Sequence, residues 1–127
     1  PLFVPLVENG RVHRGDVVIE TVVKEYLTPL KDAGVDTLIL GCTHYPLLKK
    51  AISRYMGGEV TLIDPGAEVA KYLKKKLGDD MLHEKSPDGA KYSYYVSDDV
   101  KNFEELGGVF LEREIIGQVQ KIDIEKY

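Results

Sequence analysis

The residues of this chain that could do chemistry stand together in the stretch Cys42-Thr43-His44. Cys42 is the only cysteine among the 127 residues. A thiolate is a base and a nucleophile whose reactivity depends on its surroundings, and a neighbouring imidazole can take or supply a proton near neutral pH. The threonine between them offers a hydroxyl and a backbone N–H to an anion. Together these residue types suit acid/base chemistry on a small carboxylate.

A structural role for Cys42 is the alternative. Free cysteine is among the residue types most often buried, where it packs as a small hydrophobe. The residue types alone leave both interpretations open.

The segments on either side of Cys42 predict that it lies at the edge of a sheet. Residues 36–41 are typical of a buried parallel strand, and Pro46 is favoured in the first turn of a following helix. Ligands bind at the carboxyl ends of the strands in open α/β sheets. We therefore expect Cys42 to lie at such an end, directly before a helix N-terminus whose partial positive charge favours a thiolate.

Alternating apolar segments predict an α/β fold with a mostly parallel sheet in a three-layer arrangement. Asp16 is suited to cap the first helix, and Gly34 is suited to follow its end. Asp64-Pro65-Gly66 ends a strand on the same sheet edge as Cys42, so it is either part of a cleft or a plain turn. We predict strands over residues 2–7, 36–41 and 60–64, and helices over residues 17–30, 43–56 and 67–77. A buried strand at the very start of the chain predicts that preceding sequence is missing, and the alternative is a processed terminus that begins at an edge strand.

The pattern changes after Gly78. A polar connector with a turn signal at residues 87–89 leads to a β-rich run at residues 92–96. A short helix capped by Asp98 or Asp99 and an alternating segment at residues 118–125 follow. Because this part is too small for a good core of its own, we predict a domain at 1–90 and a segment at 91–127 that packs either on that domain or on a missing partner domain.

Composition excludes several classes of protein. The net charge is −4 and the lysines are scattered, so no nucleic-acid groove is indicated. No apolar run approaches the roughly 20 residues that span a bilayer, and no signal peptide pattern is present. A single cysteine cannot form a cysteine-rich zinc site and fits a reducing cytoplasm. We expect a cytoplasmic protein with no metal, no membrane association and no nucleic-acid partner.

The stretch LGCTHYPLL at residues 40–48 strongly resembles the second cysteine motif of glutamate racemases. The opening PLFVPLVE and the later TLIDPGAEVA resemble segments of the same family in the same order. The resemblance covers nearly the whole chain and is clearest through Ala70.

This resemblance implies an isomerase that interconverts L- and D-glutamate without a cofactor and supplies D-glutamate for peptidoglycan. Family members use two thiols, one from each of two similar α/β domains, on opposite faces of the substrate α-carbon. Cys42 matches the second thiol. Thr43 and His44 match the adjacent substrate-contacting pair, with His44 also expected to assist Cys42. Glu8 matches an acidic residue near the active site.

The chain departs from the family in one respect. The motifs of the family's N-terminal domain, including the first cysteine, are not present, so the sequence resembles the C-terminal half. We expect the chain alone to be inactive, with glutamate and the N-terminal racemase domain as partners and a homodimer as a possible assembly. Two alternatives stay open: a non-catalytic α/β module that binds an amino-acid-like anion, and a racemase relative that acts on another amino acid.

Overall fold

The structure is a computed structural model that describes residues 1–82 and 91–126, with the backbone alone for 79–82. The chain divides into two compact units, residues 1–83 and 84–127. The turn predicted at residues 87–89 lies outside the described residues. The first unit contains α1 (Phe3–Glu8), α2 (Val17–Asp32), β1 (Thr37–Ile39), a 3-10 helix (Tyr45–Leu48), α3 (Lys49–Met56), β2 (Thr61–Ile63) and α4 (Pro65–Leu82).

The predicted α/β class is confirmed. β1 and β2 pair in parallel, with Thr37 opposite Thr61 and Ile39 opposite Ile63. The 3-10 helix and α3 connect the two strands, as a parallel pair requires. The core of this unit lies mainly between the helices, and consists of Phe3, Val7, Ile19, Val22, Val23, Leu27, Leu40, Leu48, Ile52 and Met56.

The predicted strand at residues 2–7 is wrong, because Phe3–Glu8 forms an α-helix. Phe3 and Val7, four residues apart, lie on one helical face and are both buried. Pro5 is accommodated because it stands in the first turn, where backbone N–H groups have no partner within the helix. The inference of missing sequence from an initial strand therefore loses its basis.

The predicted start and end of α2 are confirmed. The Asp16 side chain accepts hydrogen bonds from the backbone N–H groups of Val18 and Ile19, at 2.9 and 3.2 Å. Arg11 adds a two-pronged ion pair to the same carboxylate, with both N···O distances at 3.0 Å. Gly34 follows the helix with a φ of +69°, the left-handed conformation that commonly ends helices at glycine.

Two apolar segments are more exposed than their patterns predict. Ile39 is 62% exposed, so β1 is not buried on both faces in this chain. In α4, every residue from Gly66 to Lys76 is exposed. The regular part of α4 ends before Gly78, whose φ of 69° and ψ of 176° break the helix close to the predicted end.

The second unit contains β3 (Tyr94–Val96), α5 (Val100–Leu111), β4 (Val119–Lys121) and a 3-10 helix (Ile124–Lys126). Asp99 caps α5 by accepting hydrogen bonds from the backbone N–H groups of Lys101 and Asn102. α5 is longer than predicted, because residues 109–111 form its last turn. β3 and β4 pair in parallel, and Ile115 is fully buried.

The end of α3 gives a test of backbone conformation. Gly57 has a φ of 100° and a ψ of 167°, a region that glycine alone adopts without strain. Gly57→Ala should lower the free energy of unfolding by about 1–3 kcal/mol, measured by urea denaturation. Gly58→Ala is the matched control, because Gly58 has no positive φ and open space around its Cα. Equal effects of the two substitutions would contradict the backbone explanation.

The Asp16 cap gives a prediction about pH. The hydrogen bond from Arg11 holds the pKa of Asp16 below its ordinary value of 3.8, and the backbone N–H groups of Val18 and Ile19 also lower it. Because the pKa is lower in the folded chain, this stabilisation is complete above the unfolded pKa. It is lost as the pH falls through the folded pKa.

Asp16→Asn keeps the cap but cannot titrate. The difference in the free energy of unfolding between the parent chain and Asp16→Asn should therefore be constant above about pH 5 and become smaller below about pH 4. Urea denaturation across this range measures it. Arg11→Gln should weaken the same pH dependence. If the free energy of unfolding of both variants depended on pH as it does in the parent chain, this explanation would be wrong.

Candidate active site

An open cleft of about 510 Å³ lies at the carboxyl ends of β1 and β2. Its position agrees with the rule that ligands bind outside these ends in parallel sheets. The cleft is lined by Leu40, Gly41, Cys42, Thr43, Pro46, Asp64, Pro65 and Gly66.

Cys42 reaches the cleft through a tight turn. The backbone N–H of Leu40 donates to the Ile63 carbonyl at 2.8 Å and extends the strand pairing by one residue. The N–H of Cys42 then donates back to the Leu40 carbonyl at 2.9 Å, and the Cys42 carbonyl accepts from Tyr45 at 3.2 Å. These bonds turn the chain out of the sheet within three residues and leave the Cys42 side chain partly exposed.

The helix predicted after Cys42 is present, but it does not follow Cys42 directly. The first helical residue is Tyr45, and it begins a single 3-10 turn of four residues. The α-helix proper starts only at Lys49. The helix dipole falls off within the first turn, so the groups that act on the thiol are its side-chain neighbours.

His44 contacts three other polar side chains of the site. Its Nδ1 lies 3.2 Å from the Thr43 hydroxyl and 3.9 Å from the Cys42 Sγ. Its Nε2 lies 3.1 Å from the Glu8 Oε1. The His44 side chain is 23% exposed and the Glu8 side chain 48%. The structure thus brings together all four residues that the sequence singled out.

The direction of these contacts defines what His44 can do. A carboxylate only accepts hydrogen bonds, so Nε2 carries the proton that Glu8 accepts. In neutral His44 the Nδ1 lone pair then faces Thr43 and Cys42. His44 can take the thiol proton at Nδ1, and the resulting imidazolium stands between a thiolate and a carboxylate, both of which stabilise it.

The packing of α1 brings Glu8 to this position. Phe3 makes edge-to-face contacts with Tyr26 of α2 and with Tyr45 of the 3-10 helix, at centroid distances of 5.2 and 5.5 Å. Glu8 is the last residue of α1. A helix held against Tyr45 therefore presents its final side chain to the neighbouring His44.

Asp64 has both of the roles that the sequence left open. It lines the cleft, and its Oδ1 also accepts from the Ala67 backbone N–H at 3.2 Å, as in the turn before a helix. The sequence did not single out Leu40, Gly41 and Pro46 as cleft residues, although their position just after β1 was a usable signal. Within the described residues, no group of three His, Cys, Asp or Glu side chains could hold a metal, and no helix is long and apolar enough to cross a membrane.

Comparison with known proteins identifies the family. No family model matches. The glutamate racemase of Geobacter metallireducens is 41% identical over 126 residues, which is 98% of this chain and 45% of that protein. The glutamate racemase of Enterococcus faecalis is 40% identical over 112 residues, which is 87% of this chain and 40% of that protein. This chain belongs to the glutamate racemase family.

Solved racemase structures agree with this assignment. The Francisella tularensis glutamate racemase in complex with D-glutamate has a TM-score of 0.80 at 34% identity, over 99% of this chain and 46% of that one. The Thermus thermophilus glutamate racemase in complex with beta-chloro-D-alanine has a TM-score of 0.76 at 33% identity, over 100% of this chain and 47% of that one. The chain thus spans about half the length of the racemases it matches.

The contact between Cys42 and His44 can be tested by thiol labelling. Cys42 is the only cysteine, so iodoacetamide modification followed by mass spectrometry reports on this site alone. His44→Ala should slow labelling at neutral pH by about tenfold, because the Cys42 thiol loses the base that takes its proton and less of the reactive thiolate forms. His13→Ala is the control, since His13 is an exposed histidine that is not a cleft-lining residue. Labelling at the parent rate in His44→Ala would show that His44 does not act on the thiol.

Proposed function

We propose that this chain supplies one of the two acid/base thiols of a glutamate racemase, with Cys42 as that thiol. The observation that carries the proposal is the continuous path Cys42–His44–Glu8 beside an open cleft, with contacts of 3.9 and 3.1 Å. The substrate is glutamate, as suggested by the family and by the D-glutamate bound to the Francisella relative. The reaction needs no cofactor.

Racemisation requires proton transfer on both faces of the α-carbon. One thiolate removes the α-proton, and the thiol on the other face delivers a proton. In one direction Cys42 delivers its proton to the carbanion and becomes a thiolate. In the reverse direction the Cys42 thiolate takes the α-proton. A single thiol cannot reach both faces, so a second one must come from a complementary half of the enzyme.

His44 and Glu8 control the protonation state of Cys42. His44 accepts the thiol proton at Nδ1 when Cys42 must act as a base, and returns it when Cys42 must act as an acid. Glu8 accepts the Nε2–H hydrogen bond, which orients the ring and stabilises the imidazolium. His44 and Glu8 therefore have assisting catalytic roles.

Thr43 is suited to bind the substrate. It lines the cleft beside Cys42, and its hydroxyl lies 3.2 Å from the His44 Nδ1. The hydroxyl can rotate to donate to a substrate carboxylate instead. Binding would then leave the Nδ1 lone pair of His44 available to the Cys42 thiol alone.

The proposal extends to the use of the product, the compartment and the domain organisation. The product D-glutamate would serve peptidoglycan synthesis in the cytoplasm. Residues 91–127 would form a segment that packs on the complementary N-terminal domain, while residues 1–90 form the domain that carries Cys42. Without that complement the chain alone should not racemise glutamate at a useful rate.

Proton exchange in heavy water tests the function. A chimera in which this chain replaces the stretch that it matches in the Geobacter racemase should racemise glutamate and incorporate α-deuterium. Cys42→Ser in the chimera should lower kcat/KM by about 100- to 10,000-fold, the range for loss of a general acid or base. NMR and chiral chromatography measure exchange and chirality.

The isolated chain is a second arm of this experiment, and we expect it to show no exchange. Undiminished racemisation by the Cys42→Ser chimera would overturn the role of Cys42. Binding of glutamate by the chimera with no exchange at all would favour the non-catalytic binding module.

A further inference from the structure

Asp64 supplies the only carboxylate in the part of the cleft wall that the structure describes. Apart from Cys42 and Thr43, the other lining residues are apolar or glycine. Ile39 lies opposite Ile63 in the parallel pair, so the residues that follow these two leave the sheet at the same edge. Asp64 directly follows β2, and the turn that carries Cys42 follows β1. The thiol and the carboxylate therefore come to one cleft from neighbouring strands.

The carboxylate of Asp64 can bind more than its present partner. Its Oδ1 accepts from the Ala67 backbone N–H at 3.2 Å, which caps the start of α4. A Cβ at Gly66 would lie 3.4 Å from the same oxygen, so glycine at this position leaves the carboxylate approachable beside the cleft. Because a carboxylate offers about four lone-pair sites, the cap leaves it able to accept hydrogen bonds from a ligand.

Neighbouring charges leave Asp64 suited to bind a cation. Glu8, the other acid of the site, accepts from the Nε2 of His44 at 3.1 Å. The ammonium group of Lys71 donates to Glu68 at 2.7 Å. The hydrogen bond from Lys71 to Glu68 raises the pKa of Lys71, and the charges of Glu68 and Asp64 add to this effect. The negative charge of Asp64 thus acts on a nearby ammonium group whose own partner is Glu68.

An amino acid matches the polar groups of the cleft. Its α-carbon carries a carboxylate, an ammonium group and the proton that racemisation exchanges. The Thr43 hydroxyl can donate to the carboxylate, and the Asp64 carboxylate can accept from the ammonium group in a charge-assisted hydrogen bond. These two contacts would fix the α-carbon beside Cys42, which lines the same cleft.

We propose that Asp64 binds the α-ammonium group of the substrate and so selects an amino acid over a dicarboxylate that lacks this group. The inference deepens the proposed function and rests on it, because it assigns a further substrate contact to the same cleft. A carboxylate beside the ammonium group also favours its charged form. A charged ammonium group withdraws electrons from the α-carbon, which assists loss of the α-proton.

A substitution that removes the charge and keeps the cap tests this assignment. Asparagine caps helices as well as aspartate does, so Asp64→Asn should change the melting temperature of the Geobacter chimera by no more than about 2 °C. Its affinity for glutamate should fall by at least about tenfold, because a charge-assisted hydrogen bond is lost. Calorimetric titration with racemic glutamate measures this affinity without net reaction. If Asp64→Asn unfolds the chimera, Asp64→Ser, which also caps, takes its place.

Glutarate is the matched ligand, because it has both carboxylates of glutamate and lacks the amino group. Its affinity should stay within about threefold in Asp64→Asn or rise, since a negative charge near a dianion is removed. Asp99→Asn is the control variant. Asp99 caps α5 in the same way, and it is not one of the described residues that line the cleft. Asp99→Asn should change neither affinity by more than about threefold.

Unchanged glutamate affinity in Asp64→Asn, or an equal loss for glutamate and glutarate, would overturn the ammonium contact. Failure of the proposed function looks different: Cys42→Ser would leave racemisation unchanged, or the chimera would bind glutamate without exchange. Because calorimetry needs no turnover, the comparison at Asp64 gives its own answer in either case. A chimera that binds neither ligand would overturn both proposals.

Discussion

The candidate site depends on the packing of helix α1, through Phe3, against its neighbouring helices. The Phe3 ring packs edge-on against Tyr26 of α2 and Tyr45 of the 3-10 helix. These contacts fix the direction in which the six-residue helix ends, and its last residue is Glu8. Because Glu8 and His44 are 36 residues apart in sequence, no local preference could bring them together. Replacing the Phe3 ring would therefore disturb the proton path without touching any residue in it.

Local signals explain which elements could be predicted from the sequence. Asp16 and Gly34 mark the ends of α2 by interactions within a few residues, so their roles could be predicted from residue type and position. At residues 42–44 three chemically capable residues follow a strand, which made them candidates, and the resemblance of residues 40–48 to a racemase motif favoured a catalytic role. Residues 2–7 offered no such signal, since a short apolar run interrupted by one proline has no clear period. Its helical form depends on the packing of Phe3 and Val7.

The errors in predicted burial have a different physical origin. The apolar patterns of β1 and α4 correctly indicate surfaces that favour burial, but burial also requires a neighbour. In this chain Ile39 and Val69 are mostly exposed, although their patterns are those of covered elements. The apolar pattern of a segment therefore predicts its tendency to be buried, and not which neighbour covers it.

The structure also separates two requirements of the proposed chemistry. The groups that we propose to move the proton, Cys42, His44 and Glu8, belong to one compact unit, in which His44 contacts each of the other two. The groups that must stabilise a carbanion need a site from which water is excluded and in which donors are fixed. An open cleft with a half-exposed Glu8 does not provide such a site. This difference is the physical reason for the proposal that the chain needs a complementary half before it can racemise glutamate.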